Sequence, residues 1–527
     1  MPANPDPQSA AISRRELLKQ AVGAGLITAL APLAGCATVQ AEKHNLIRRE
    51  NARPGTTDWL LSNTRVDPAA KYRCPWIEGY GSRNSVRPGE TIDFRVSTNP
   101  PAPFTIDLYR LGYYGGKGGR HMAKLGPFEG QTQKDPPIGP ERVRECLWEA
   151  ATKFTVPKNW LSGVYLGKLT EEKENLQSYL IFIVRDDRAC DFLFQCSDTT
   201  WAAYNRWPDV FSLYDDGTPP HNWYVGPGVR AGWDRPYGRY RQIFDAPLSQ
   251  GSGEFLLWEF PLAFWMEKEG YDVTYISNVD THTDPKGLLR AKAFLSVGHD
   301  EYWSLPMFSN LKAAVDAGVH AAFFSGNSVD GLVHFYPNRA GVSNRSISRI
   351  GKFGPFEDEL KRFGNRWKRH GPNPATLMGA RSTDPYNGTA DWTCVNDLHW
   401  LFEGTGMKNG DTIKGLVGWE HHGLPADIPG LEILARGPVF SGGRPQNVEF
   451  TATIYPGKKG NLVFNAATIW WSDGLSAPPG YLRPSAHGGT PPGPDARVQR
   501  MTKNLFSKFL ETAARSDKRP DKPEARR

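Results

Sequence analysis

The chain has 527 residues and a formal net charge of +7, and its 54 glycines, 43 prolines and 17 tryptophans suit a loop-rich globular protein with aromatic surfaces better than a disordered one. The positive balance is inflated by the signal arginines and the basic tail, and no basic stripe interleaved with aromatics occurs, so a nucleic-acid partner is not expected. Residues 1–36 read as a targeting segment. Ser13-Arg14-Arg15-Glu16-Leu17-Leu18-Lys19 is a twin-arginine signal. The apolar run Ala21–Ala31 is too short to span a bilayer, and Leu33-Ala34-Gly35-Cys36 has the form of a lipobox. Cleavage before Cys36 would leave a lipidated cysteine, so the mature chain is expected as an exported lipoprotein, periplasmic or at the cell surface, tethered to a membrane. That export route carries folded proteins, often with an inserted cofactor. The other cysteines, Cys74, Cys146, Cys190, Cys196 and Cys394, are odd in number and form no CxxC pair, so a zinc ribbon is not expected.

Residues 40–188 read as β structure. Thr91–Ser97 and Phe104–Leu111 alternate apolar and polar residues, Gly112–Gly116 supplies a turn, and further strands are predicted at Ala151–Val156, Gly163–Lys168 and Ser178–Val184. Short strands at such intervals predict an immunoglobulin-like β-sandwich domain. From residue 189 to 512 the pattern becomes α/β. Phe192–Phe194 is a buried strand, Glu254–Gly270 a helix kinked at Pro261, and Tyr271–Ser277 a strand. Ala293–Val297 is a strand, Ser304–Gly318 a helix and Val319–Phe324 a strand; Val417–Glu420 and Leu462–Asn465 are closing elements. This alternation predicts a parallel sheet. The Gly-, Pro-, Asn- and Arg-rich stretch 333–400 is long enough to be a functional insertion, and residues 513–527 read as a disordered basic tail.

Two consecutive strands end in polar residues, the first in Gly298-His299-Asp300-Glu301 and the second in Ser325-Gly326-Asn327. Open α/β sheets bind ligands beyond the carboxyl ends of their strands, so His299, Glu301 and Asn327 are expected in one crevice. Strand ends also turn polar merely because they meet solvent. Neither a Gly-x-Cys-x-Gly nor a Gly-x-Ser-x-Gly turn occurs, which disfavours a covalent thiol or serine nucleophile.

Tyr109-Arg110-Leu111-Gly112, Thr200-Trp201-Ala202-Ala203-Tyr204-Asn205, Asp234-Arg235-Pro236-Tyr237, Gly298-His299-Asp300-Glu301-Tyr302-Trp303-Ser304 and Ser325-Gly326-Asn327 together resemble the large (β) subunit of N,N-dimethylformamidase, over roughly residues 75 to 475. The resemblance implies an α/β domain like that of glutamine amidotransferases, carrying a mononuclear iron, Fe3+, held by two tyrosinates and a glutamate. Carried over, Glu301 is the carboxylate ligand and Tyr204 the first tyrosine. Tyr237 is the choice for the second, with Tyr240 and Tyr214 as rivals. His299 and Asn327 stand beside the metal, and Glu420 is a candidate base whose bland alternative is a surface glutamate beside His421 and His422. A hard trivalent cation suits phenolate and carboxylate donors.

The implied activity is hydrolysis of a small-molecule linear amide, with a homo-oligomer or a small partner subunit as further expectations. After Ser-Gly-Asn the chain reads Ser328-Val329-Asp330-Gly331, unlike the Trp and Arg expected there, and it is exported; both differences argue against dimethylformamide itself as substrate. The competing expectation is a non-catalytic envelope lipoprotein that binds a glycan or peptide through its aromatic face.

Overall fold

The structure, a computed structural model, describes residues 46–516 apart from 66, 70, 71, 240–248, 355–366, 368 and 486–488. The targeting segment with Cys36, the rival Tyr240 and the tail from 517 lie outside the described residues; residues 513–516, expected in that disordered tail, instead end the helix Ala496–Ser516.

The period-two strands of the first region form two sheets. One joins Glu78–Gly81, Thr91–Ser97 and Thr152–Thr155 antiparallel. The other runs Ser85–Val86, Gln177–Val184, Gly163–Glu171, Pro103–Leu111, Gly119–Glu129, antiparallel except for its first pair. Ile92, Phe94 and Val96 from the first sheet meet Phe104, Ile106, Leu108, Leu180 and Phe182 from the second in one apolar core. Strand Gln177–Val184 is buried on both faces. Its alternate residues Tyr179, Ile181 and Ile183 turn the other way, onto Phe192, Phe194 and Tyr275. A strand that serves two cores reads as a continuous apolar run, as this one does.

The α/β region is built on a seven-stranded sheet in the order Val273–Ser277, Cys190–Cys196, Ala291–Gly298, His320–Ser325, Leu462–Asn465, Arg444–Pro456, Glu432–Ser441. The first five strands are parallel and the last two antiparallel, so the sheet is mixed where an all-parallel one was expected. The reason is local. Gly442 and Gly443 both adopt positive φ (56° and 75°), the backbone of a tight two-residue hairpin, and the chain folds straight back. Strand Thr412–Val417 does not close this sheet; it pairs with Ala390–Thr393 in a separate ribbon. The expected kinked helix is two helices, Phe255–Trp258 and Phe260–Glu269, meeting at Glu259, with Pro261 in the first turn of the second, where no N–H is needed. A further mixed sheet contains Arg230–Gly232, Ser346–Phe353, Gly331–Tyr336 and Tyr302–Trp303, with Arg369–Gly371 paired to Ser346–Phe353. The five cysteines are buried and free. Among the described residues no helix is long and apolar enough to cross a membrane.

Of the ion pairs that tie the two regions, one has both side chains wholly out of water. Arg110 donates to Glu267 Oε1 (2.8 Å) and Oε2 (2.9 Å), both side chains being fully buried, and also to the Ser162 carbonyl. Gly112 must lack a side chain, because a Cβ there would stand 2.3 Å from Glu267 Oε2. The Tyr-Arg-Leu-Gly motif is therefore an internal clasp. Replacing Glu267 by Ala strands the Arg110 charge and should lower stability by about 3–5 kcal/mol. The double replacement Arg110→Met with Glu267→Met should cost less than that single change, which urea unfolding of the three variants would show.

Candidate active site

Strand Ala291–Gly298 stops at a glycine with φ +69°, and the chain turns through His299-Asp300-Glu301 before entering the short strand Tyr302–Trp303. Asp300 points inward and anchors the turn. Its carboxylate accepts from Gln195 Nε2 (2.7 Å), Asn278 Nδ2 (3.0 Å) and Ser296 Oγ (2.7 Å). With Asp300 fixed, His299 and Glu301 project on the other side. Helix Asp198–Tyr204 lies against the same turn: Ser197 Oγ donates to the Val297 carbonyl (2.8 Å) and Thr199 Oγ1 to the Tyr302 carbonyl (2.8 Å). Thr200 and Tyr204 share one helix face at i, i+4. Thr200 Oγ1 accepts the Glu301 N–H (3.0 Å), and the Tyr204 hydroxyl donates to Glu301 Oε2 (2.6 Å). One turn of helix thus holds both the backbone and the carboxylate of Glu301.

The second phenol at this carboxylate is Tyr214. Its hydroxyl lies 3.1 Å from Glu301 Oε1 and 2.8 Å from the Tyr204 hydroxyl, and its ring stacks on Tyr204 and on the exposed Trp223. Tyr302 adds a third hydroxyl, in contact with that of Tyr214. Tyr237 is placed elsewhere: its ring meets Trp201 edge-on at 6.4 Å, and it lines a small cavity with Tyr80, Asp198 and Trp233. The Asp-Arg-Pro-Tyr motif has a different task here. Arg235 donates to the carbonyls of Gly232, Asn205, Trp207 and Phe211, while Asn205 Nδ2 donates to the Pro236 carbonyl, so the motif clamps the loop that carries Tyr204 to Tyr214.

Glu420 is buried, not a surface glutamate, and its Oε2 stands 2.8 Å from His299 Nε2; the same nitrogen is 3.4 Å from Glu301 Oε2. A glycine permits this approach, since a Cβ on Gly326 would fall 2.0 Å from the Glu420 carbonyl oxygen. Asn327 follows directly, at the end of the strand paired to Ala291–Gly298. Ser382, from the 333–400 stretch, donates to its Oδ1 (2.7 Å), leaving the two N–H of Nδ2 without an acceptor among the described residues. The loop after Asn327 is pinned by His422, whose Nε2 accepts the Ser328 N–H (3.1 Å) and whose Nδ1–H faces Asn465 Oδ1 (2.8 Å).

Residues 105–485 match the family described as N,N-dimethylformamidase beta subunit-like, C-terminal. The chain belongs to that family. No curated protein matches it. Among solved structures, a family 123 glycoside hydrolase from Clostridium perfringens shows 8% identity and a TM-score of 0.10, covering 52% of this chain and 49% of its own; the chain spans about half of that enzyme, and so low a score carries no argument.

In this dimethylformamidase-like chain the cluster is electrostatically tense. Burial pushes the phenols of Tyr204, Tyr214 and Tyr302 well above their ordinary value, and the Glu301 charge adds to it. Burial likewise raises Glu301 to about 7, against the pull of His299. Burial alone would lower His299, but the Glu420 carboxylate overrides it and raises the imidazole to about 9. Among the described residues no three His, Cys, Asp or Glu side chains converge as a metal site. The convergence is instead of oxygens: two phenols on one carboxylate, with a third phenol and an imidazole alongside. That donor set fits a hard, highly charged cation, with Tyr204, Tyr214 and Glu301 to hold it.

Tyr214, a rival in the sequence, takes the place expected of Tyr237, and Tyr302, whose hydroxyl reaches that of Tyr214, was not singled out by spacing. Tyr302 adjoins Glu301 in sequence, but a strand that points successive side chains to opposite faces makes it an unlikely companion; the turn between two sheets removes that constraint.

Two outcomes follow. Gly326→Ala drives a methyl into the Glu420 backbone and should cost about 1–3 kcal/mol or more, measured as a fall in unfolding free energy. Burial holds His422 down to about 4, opposed by its Asn465 bond, so it is neutral in the fold. The unfolded chain protonates first, near 6.5, so stability from this imidazole is present above pH 6.5 and lost as pH falls toward 4. The melting-temperature gap between wild type and His422→Gln should therefore narrow on acidification through that window.

Proposed function

We propose that the chain is an exported, lipid-anchored hydrolase of an amide-type C–N bond that uses a mononuclear iron at Glu301. The observation that carries this reading is the convergence of Tyr204 and Tyr214 on the Glu301 carboxylate at 2.6 and 3.1 Å, beside the His299–Glu420 pair. Membership in the dimethylformamidase-like family supplies the reaction class. Iron, when bound there, provides a Lewis acid that polarises an amide carbonyl and lowers the pKa of water.

The remaining work falls to side chains. The free N–H pair of Asn327 is placed to donate to a carbonyl oxygen as it gains charge, a kind of contact whose loss costs about 3 kcal/mol. Glu420 takes a proton from the attacking water, and the His299 imidazolium gives one to the leaving amine. The five parallel strands support the glutamine-amidotransferase-like reading of this domain, and the paired sheets before it support the immunoglobulin-like one. Arg14-Arg15 and Leu33–Cys36 support export and lipidation, and a family named for a β subunit makes a partner subunit or self-association part of the proposal.

The test is the metal content and visible absorption of the mature chain purified after native export. Near-stoichiometric iron with a broad tyrosinate-to-iron band is expected. Glu301→Ala should lose both, Tyr214→Phe should lose or shift the band, and Tyr237→Phe should leave it unchanged. A colourless, metal-free wild type that folds normally would sink the reading. In a screen of linear amides, Asn327→Ala should lower kcat about 100-fold or more.

A further inference from the structure

Arginine is rarely buried without partners, because its five N–H donors lose water on entering the interior. This chain obeys the rule at three places. Arg110 makes five hydrogen bonds, to Glu267, Ser162, Leu111 and Tyr114; Arg235 donates to four carbonyls; Arg345 to Asp234, Asn84 and Gly81. Arg349 breaks it. Its side chain is 8% exposed, and its single hydrogen bond among the described residues is a long one, Nη2 to Asp330 Oδ2 at 3.4 Å. Its Nε lacks an acceptor among the described residues, as does that of Arg110, but Arg110 makes five other hydrogen bonds where Arg349 makes one.

Nor does Asp330 depend on Arg349. Lys352 Nζ sits 3.1 Å from the other carboxylate oxygen, Oδ1, so two cations face one carboxylate. The location is what gives the imbalance meaning. The guanidinium carbon lies over two aromatic rings, 5.7 Å from the centre of Tyr302 and 4.7 Å from that of Trp367. Tyr302 touches Tyr214, which touches Glu301, and the charge of Arg349 acts on all three. A fixed, planar, underused fork beside a reaction centre is the arrangement that takes a carboxylate with two parallel N–H···O bonds.

The geometry points to Arg349 as the receptor for a carboxylate on the substrate, so that the amide hydrolysed at Glu301 belongs to an anionic molecule such as an N-acyl amino acid. This rests on the hydrolase reading for the bond cleaved, but the binding claim stands apart from turnover. It also gives a physical reason for a neutral amide such as dimethylformamide to be a poor match: it would leave the fork unpaired.

The experiment is calorimetric titration of the full mature, metal-loaded chain with N-acetylglycine and with its neutral counterpart N-acetylglycinamide. Wild type should bind the acid at least tenfold more tightly than the amide. Arg349→Met should abolish that preference while changing N-acetylglycinamide binding less than twofold. Arg349→Lys keeps the charge, loses the fork and guards against a folding failure of the first variant; it should bind the acid several-fold more weakly than wild type. Equal binding of the two probes by wild type, or an unchanged preference in either variant, overturns the proposal. Inorganic phosphate or sulfate binding more tightly than N-acetylglycine through Arg349 overturns the carboxylate assignment. Arg349-dependent binding of N-acetylglycine with no hydrolysis of any amide leaves the receptor standing and fails the hydrolase reading, whereas turnover of neutral amides with no effect of Arg349 does the reverse.

Discussion

A carboxylate that is almost wholly removed from water, Glu301 at 3% exposure, sets the terms for everything around it. Such a group is tolerated only when donors surround it or when its proton stays on. The chain supplies donors from one helix and one loop, Tyr204 and Tyr214, and fixes the backbone with Thr200. The helix is held in turn by Ser197 and Thr199 reaching the turn it serves, and the loop by Arg235. Removing water from these groups is also what drives the pKa values of the cluster apart, so the scaffold and the chemistry have one cause.

The second requirement is close approach. Two neighbouring parallel strands bring Gly298 and Ser325 side by side, but their loops can meet a third segment only where side chains are missing. Gly298 sits against Trp258 and Gly326 against the Glu420 carbonyl. Those glycines decide that Glu420, distant in sequence, closes on His299, and that the neutral His422 packs beneath the Asn327 loop. Backbone contact of this kind constrains a site more tightly than side-chain packing, because no rotamer can relieve it.

What could be read in the sequence was whatever depended on period and on strand ends. The strands at Thr91–Ser97, Gly163–Glu171 and His320–Ser325 follow from alternation or apolar runs, and His299, Glu301 and Asn327 from their place after such runs. The Gly442-Gly443 hairpin, which sets Glu432–Ser441 antiparallel to Arg444–Pro456, is an equally local signal, and without it the sheet looks wholly parallel. The choice between Tyr214 and Tyr237 was not local. Both stand in tyrosine-rich loops, and only the clamp of Arg235 and Asn205 on the intervening chain decides which ring reaches Glu301. Arg349 and Tyr302 owe their positions to the second mixed sheet, whose pairing of Tyr302 with Gly331 no periodicity announces.

The charge balance of the cluster bears on which cation it would accept under the proposed reading. Tyr204 and Tyr214 hold their protons far above pH 10 in the bare fold, since each ionised phenol would sit beside Glu301 in a place without water. An ion that displaces both protons must repay that burial through its own field, which rises with charge and falls with radius. A large divalent ion such as calcium, which prefers many oxygens and flexible geometry, gains little from two stiff phenols and one carboxylate. A small trivalent ion gains most, and with two phenolates and one carboxylate it leaves no net charge in the interior. Neutrality there would have a consequence for the neighbours: the Glu301 charge would be spent on the cation and would no longer balance Arg349, leaving the excess positive charge beside Asp330 for the carboxylate proposed above.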